Sequence, residues 1–236
     1  MRPYVIINGV SSNTINGLLV QSLPPISKPQ LRTTIEEIAG RDGDIVTTTG
    51  FKAYDKTMSV GLYGDYDVDE IIDYLSQSGE IVYSNEPDKY YNFACYAKAD
   101  YERLIRFKTA NITYHIQPFK YDNEEKLIDL NNNDSRGLKV TVLNKGNIKS
   151  NPTITLTGSG IIRLYINDIM VLILRLTGLT TVTLGTDGNA RDVNGVFLNR
   201  QVEGDLSNLL LEKGANVISL RGNVTNFKMK DFSRWL

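Results

Sequence analysis

The sequence is divided by one polar stretch, Asp129-Leu130-Asn131-Asn132-Asn133-Asp134-Ser135-Arg136-Gly137. Residues 1–130 hold 13 Lys and Arg against 19 Asp and Glu, which leaves a net charge of −6. Residues 131–236 hold 13 Lys and Arg against 8 Asp and Glu, which leaves a net charge of +5. Twelve of the 13 tyrosines also precede residue 122. A change of composition at a polar segment is typical of a domain boundary, so we predict two domains, residues 1–130 and 131–236.

Two turn signals in the first half predict β-hairpins. Asn8-Gly9 follows the apolar run 4–7 and tolerates the positive φ angles of a tight turn. Residues 31–38 and 45–49 read as extended runs on either side of the turn residues 40–44.

The first half also contains one helix signal. Asp67 is a suitable N-cap with Glu70 three residues later, and an apolar stripe continues until Gly79. Further strands are predicted at 58–62, 90–99, 103–108 and 111–117, with Pro118 ending the last. The first domain is therefore predicted to be a β domain with one short helix.

The second half alternates short β-type runs with turn signals such as Gly158-Ser159-Gly160 and Asp187-Gly188. The runs are 138–143, 153–157, 161–166, 170–176, 180–184, 216–220 and 225–229. Roughly seven strands in about a hundred residues is the pattern of a compact β-sandwich. The fold class predicted for the whole chain is mainly β.

Few residues in the sequence are suited to acid–base or nucleophilic chemistry. Histidine is the commonest proton-handling side chain, and His115 is the only one. It lies within a predicted strand, where we expect a structural role. Cys95 is the only cysteine, which excludes an internal disulfide and a multi-thiolate metal site and fits folding in a reducing cytoplasm. Neither an enzyme nor a cofactor is expected.

Two acidic segments resemble parts of metal-binding loops. Residues 65–69 have the Asp-x-Asp-x-Asp spacing of a calcium loop, but Glu70 replaces the required glycine and Ser76 stands where the bidentate acid belongs. We interpret this cluster as a negatively charged helix start. The segment 187–192 is interpreted as a hairpin turn. No metal site is predicted.

Nucleic-acid and membrane binding are also disfavoured. Aromatic and cationic residues are interleaved over 90–106 and could stack bases, but alternation places Tyr91 and Phe93 on a core face, and the net charge of this half opposes a phosphate backbone. The longest apolar run, Ile169 to Leu174, is far shorter than the ~20 residues that span a bilayer. The N-terminal run is too short for a signal peptide, so a soluble protein is expected.

Several strings point to a known family. The first half contains Thr34–Asp44 (TIEEIAGRDGD), Glu86–Tyr91 (EPDKYY) and Gln117–Tyr121 (QPFKY). The second half adds Asn151–Ile154 (NPTI), Gly158-Ser159-Gly160, Gly204-Asp205, Lys213–Asn216 (KGAN) and Arg234-Trp235. Each string is weak alone. Their order and spacing over nearly the whole chain resemble the distal tail proteins of long-tailed, non-contractile bacteriophages, or prophages, of Gram-positive bacteria.

This resemblance implies a structural hub at the virion tail tip, assembled in the cytoplasm of the host bacterium. Such proteins form a hexameric ring, in some cases stacked, from their N-terminal domains. The ring docks the major tail tube protein on one side and the tail-associated lysin or fibre protein on the other, and leaves a channel through which DNA passes without being read. Their peripheral C-terminal domains are galectin-like β-sandwiches.

Interface candidates come from the polar hairpin region of the first domain. Glu37, Arg41, Asp42 and Asp44 flank or occupy its turn. They are equally well described as an ordinary exposed turn or as part of an interface between subunits.

A carbohydrate-binding module for host wall recognition is the alternative function. Galectin-type sites use a histidine, an Arg–Asn–Glu network and a tryptophan on which the sugar stacks. In this sequence His115 lies in the other domain and Trp235 stands next to the C-terminus. Since a fold alone does not confer a site, we rank the structural hub above the lectin.

Overall fold

The computed structural model describes residues 2–40, 42–124, 127–132 and 137–236, with the side chains of 95–99 excepted. Contacts divide the chain into two compact units, Met1–Asn123 with Leu236, and Glu124–Trp235. Each unit has its own apolar core. Within the described residues, no helix is long and apolar enough to cross a membrane.

Unit 1 combines one antiparallel sheet with a separate hairpin and two helices. Its elements are β1 (Val5–Ile7), β2 (Val10–Ser11), β3 (Leu18–Ser22), β4 (Leu31–Glu37), β5 (Asp44–Phe51), β6 (Tyr54–Leu62), α1 (Val68–Leu75), β7 (Gly79–Tyr83), β8 (Lys89–Ala99), α2 (Tyr101–Phe107) and β9 (Thr109–Asp122). The sheet runs β2-β1-β7-β8-β9-β6-β3, while β4 and β5 pair only with each other.

The core of unit 1 lies on the inward face of this sheet, under helix α1. Met58 and Val60 alternate inward along β6, and Tyr114 projects from β9 into the same cluster. The predicted helix is confirmed, because the Asp67 carboxylate accepts hydrogen bonds from the backbone N–H groups of Asp69 and Glu70.

Two predictions for unit 1 were wrong. Residues 103–108 were expected to be a strand, but 103–107 belong to α2 and Lys108 is its C-cap. The N-cap Asp100 accepts from the N–H of Arg103 at 2.9 Å. The chain therefore has a second helix. Pro118 was expected to end a strand, yet β9 continues to Asp122. It is tolerated because the β8–β9 register shifts around it, from Phe93↔Ile116 to Tyr91↔Lys120.

Unit 2 is built from a few long antiparallel strands. Its elements are β10 (Ile128–Asn131), β11 (Gly137–Asn144), β12 (Thr153–Ile166), β13 (Ile169–Leu184), β14 (Ala190–Arg191), β15 (Val202–Glu203), β16 (Gly214–Lys230) and β17 (Arg234–Trp235). The order is β10-β16-β12-β13-β14, with β11 also paired to β16 and β15 to β13.

Three pairs of predicted short strands are in fact three continuous strands, β12, β13 and β16. Gly158-Ser159-Gly160 is a bend within β12, where the register with β16 shifts, and not a turn between strands. Leu156 lies before this bend and Leu164 after it, and both are fully buried in the same core. Both halves of each long strand thus contribute side chains to one core, as expected for the predicted sandwich.

The division between the units lies at 123/124, seven residues before the start of the predicted second domain. Strand β10 explains the difference, because Leu130 pairs with Phe227 of β16. Residues 128–131 therefore belong to the sheet of unit 2. Of the polar run that suggested the boundary, Asn133 to Arg136 lie outside the described residues.

Candidate assembly surface

The β4–β5 hairpin has no core of its own. Every residue of β4 is exposed, and those of β5 are exposed or half-buried. A two-stranded hairpin without a packed face is at best marginally stable in water. The hairpin therefore presents a surface that another chain can cover.

Apolar side chains on this hairpin face solvent in register. Ile35 and Val46 lie directly opposite each other and are 59% and 60% exposed. Leu31, opposite Phe51, is also exposed. Paired β-branched side chains on an open strand pair are typical of an interaction surface and carry a risk of aggregation if left uncovered.

Most of the sequence-predicted interface residues lie at the tip of this hairpin. Glu37 ends β4 and lies directly opposite Asp44, which begins β5. Asp42 is exposed in the turn, whose two glycines have φ angles of 83° and 80°. Arg41 lies outside the described residues. The structure thus brings Glu37 and Asp44 together as neighbouring carboxylates.

The base of the hairpin is fixed by hydrogen bonds to the segment that precedes it. The N–H of Lys52 donates to the carbonyl of Gln30 at 2.8 Å and extends the ladder beyond β4. Asn85 Nδ2 donates to the carbonyl of Pro24, and Lys56 Nζ donates to the carbonyl of Pro25, both at 3.0 Å. These contacts tie the segment that leads into the hairpin to β6 and to the connection between β7 and β8.

Lys56 is a buried cation at this anchor, only 3% exposed. Its Nζ lies 4.8 Å from the centroid of the Tyr91 ring and 5.5 Å from that of Tyr83. These ring faces attract the ammonium group and replace part of its lost hydration. Burial nevertheless lowers the pKa of Lys56 to about 8, although the nearby Glu86 carboxylate acts in the opposite direction.

A buried ion pair completes the anchor. Lys120 Nζ lies 2.8 Å from Glu86 Oε1, and the Tyr91 hydroxyl donates to the other carboxylate oxygen of Glu86. Burial alone would raise the pKa of Glu86, but the hydrogen bonds from Lys120 and Tyr91 outweigh it and lower the pKa. Glu86 is therefore charged at neutral pH and offsets one of the two positive charges of Lys56 and Lys120.

Sequence reasoning missed this anchor, although a signal was present. Lys56 has the same parity along β6 as the buried Met58 and Val60, so alternation places it on the inward face. Lys120 has the parity of the buried Ile116 on β9. A lysine in phase with a core face is rarely tolerated unless it is paired.

The other candidate residues do not assemble into a reaction centre within the described part of the chain. His115 Nδ1 lies 2.7 Å from Asp55 Oδ1 across two strands, and the imidazole is 40% exposed. The described residues hold no group of three or more His, Cys, Asp or Glu side chains that could bind a metal ion. At 187–192, Asp187 accepts from the N–H of Asn189, as predicted for a turn.

No protein-family model matches the chain, and no curated protein sequence is significantly similar to it. Among solved structures, the Dit protein of phage SPP1 superposes with a TM-score of 0.61 over 100% of both chains at 18% identity. SPP1 Dit is described as a hub of the adsorption apparatus in phages that infect Gram-positive bacteria.

A second solved structure has the same architecture. The phage p2 baseplate in its strontium-activated conformation contains a chain that matches with a TM-score of 0.51 at 12% identity, over 98% of this chain and 99% of that one. At such identities the shared property is the fold. The resemblance to distal tail proteins is thus confirmed at that level, and the chain has the fold of the phage Dit proteins.

Proposed function

We propose that this chain is the subunit of a structural hub at the tip of a bacteriophage tail. The observation that carries the proposal is the exposed β4–β5 hairpin, with Ile35 opposite Val46, in a chain that has the Dit fold. Strand pairs that expose apolar side chains are stable when a neighbouring subunit covers them.

In this proposal, unit 1 forms a closed hexameric ring, or two stacked rings, around a channel for DNA. Closed rings arise when one surface of a subunit binds a different surface of the next copy, and a protruding hairpin is suited to that role. The ring joins the tail tube protein to the tail-associated lysin or fibre protein. Its location is the virion tail tip, after assembly in the host cytoplasm. We assign assembly and not catalysis.

The test is the mass of the full-length protein, measured by size-exclusion chromatography with light scattering. A hexamer has six times the chain mass of 26.5 kDa, about 159 kDa, and a stacked pair about twice that. In the double variant Ile35→Asp and Val46→Asp, charges replace the apolar pair, and we expect association at least about tenfold weaker, equivalent to about 1.4 kcal/mol.

The matched control is Leu179→Asp with Val193→Asp, which makes the same change at two apolar residues of unit 2 that are 69% and 75% exposed. This variant is expected to assemble as the wild type does. A wild-type chain that remains monomeric at every concentration would contradict the ring. Unchanged assembly of the hairpin variant would exclude the hairpin as its contact.

A further inference from the structure

The chain contains two pairs of like charges that face each other across antiparallel strands. Glu37 lies directly opposite Asp44 on the β4–β5 hairpin, and Arg163 lies directly opposite Arg221 on β12 and β16. Like charges in directly opposed positions destabilise a strand pair. The two pairs have opposite sign.

The acidic pair has no counter-ion among the described residues. Glu37 and Asp44 are both exposed, and the neighbouring Glu36 and Asp42 add two more carboxylates at the same end of the hairpin. Arg41 is the one cation of this turn in the sequence. The hairpin tip is therefore strongly acidic and fully accessible.

The arginine pair lies on the outward face of the unit 2 sheet. Arg163 and Arg221 are both exposed, and neither forms an ion pair within the described chain. Arg221 Cζ lies 4.6 Å from the centroid of the Tyr165 ring, which restricts the guanidinium. Glu203, on β15 of the same sheet, is already bound by Arg175 at 2.5 Å.

One further cation borders this pair. Lys139 lies opposite Ser219, which in turn lies opposite Tyr165, so these three residues form the adjacent row of the sheet. Lys139 and Arg221 line a shallow cavity together with Asp168. The cavity thus holds two cations and one carboxylate, and its balance is basic.

We propose that the acidic hairpin tip of one copy docks on the arginine pair of a second copy. This contact rests on the proposed function, since it joins two subunits of one assembly. It removes both repulsions at once: Glu37 and Asp44 receive cations, and Arg163 and Arg221 receive carboxylates.

The geometry of the two pairs supports this match. Directly opposed residues of antiparallel strands have Cα atoms about 4.5–5.5 Å apart, so the acidic pair and the arginine pair start from backbone positions of similar spacing. Two parallel ion pairs can then form, and each guanidinium can bind a carboxylate through two N–H groups.

The test is charge reversal with recovery in full-length protein. One variant carries Glu37→Lys and Asp44→Lys, a second carries Arg163→Glu and Arg221→Glu, and a third carries all four changes. Each double variant keeps a like-charge pair in its place, so its own strands experience the same repulsion as in the wild type. The control is Asp65→Lys with Asp73→Lys, which changes the net charge by the same amount as the hairpin variant, at exposed acids outside the hairpin.

Self-association is measured by sedimentation at low and high salt. We expect each double variant to associate at least roughly tenfold more weakly than the wild type at low salt, the quadruple variant to recover to within about threefold, and the control to be unaffected. If both double variants associate as strongly as the wild type, or if the quadruple variant does not regain its association, this contact is overturned and the proposed ring still stands. A wild-type chain that never associates overturns both proposals.

Discussion

Lys56 shows how one buried residue can fix the position of a surface element. Its ammonium group donates to the Pro25 carbonyl at 3.0 Å, in the segment that leads into the exposed hairpin, and burial lowers its pKa to about 8. An unfolded chain binds this proton with an ordinary lysine pKa of about 10.5. Between about pH 8 and 10.5 the unfolded state thus holds more protons, and the Lys56 contribution to stability rises with pH.

We therefore expect the unfolding free energy of the wild type to increase relative to that of Lys56→Met as pH rises. The shift should be on the order of 1 kcal/mol between about pH 7.5 and 9.5, below the single-proton limit of about 1.4 kcal/mol per pH unit. Urea unfolding at each pH measures it. Both chains should carry Ile35→Asp and Val46→Asp, so that assembly does not contribute.

The pH window avoids the tyrosines around Lys56. Burial raises the pKa of Tyr54 to about 12, and that of Tyr91 is raised as well, so these groups reduce stability only as pH passes their unfolded value of about 10. They are also present in both proteins and cancel in the difference. Parallel stability curves for the two chains would show that Lys56 does not titrate in this range.

At the scale of elements, the bends in the long strands of unit 2 depend on glycine. Gly222 has a φ of 128°, and a Cβ there would lie 2.4 Å from the carbonyl oxygen of Ile161. We expect Gly222→Ala to destabilise β12 and β16 by roughly 1–3 kcal/mol, because both the backbone and the strand beneath must shift. Amide hydrogen exchange measures the loss of stability separately for each strand.

The matched control for this substitution is Gly160→Asn at the bend of β12. Gly160 has a φ of 73° with open space where a Cβ would lie, and asparagine adopts this left-handed conformation at low cost. In the Gly160→Asn variant, the opening free energies from hydrogen exchange should stay within about 0.5 kcal/mol of those of the wild type. Equal losses at both positions would mean that backbone conformation, and not the close approach to Ile161, sets the cost.

The same elements show how far the sequence could predict the structure. The β4–β5 hairpin and helix α1 follow from turn and capping residues, which act locally. The bend at 158–160 was predicted as a turn, because glycines interrupt the side-chain alternation in the same way in either case. The exposure of Ile35 and Val46 was not predictable either, since alternation separates two faces of a strand but does not reveal whether any partner covers them.

At the scale of the whole molecule, two separate cores permit two separate roles. The buried side chains of the unit 1 cluster come from residues up to 116, and residues that pack into the unit 2 cluster begin at Ile128. If contacts of unit 1 close the ring and docking of the hairpin tip on unit 2 only strengthens it, weakening the unit 2 core should leave the ring in place. Leu164 is fully buried in unit 2, and removing its side chain typically costs about 2–5 kcal/mol.

We expect Leu164→Ala to lower the midpoint temperature of one calorimetric transition and to reduce hydrogen-exchange protection in unit 2 alone. Light scattering should still give the assembly mass of the wild type. Ile112→Ala, the matched change in the unit 1 core, should instead reduce assembly along with protection there, because the hairpin is anchored on that unit. If Leu164→Ala dissociates the ring at a temperature where unit 1 keeps its protection, closure requires the sandwich. The contact between the hairpin tip and Arg163 and Arg221 would then be the first one to test by charge reversal.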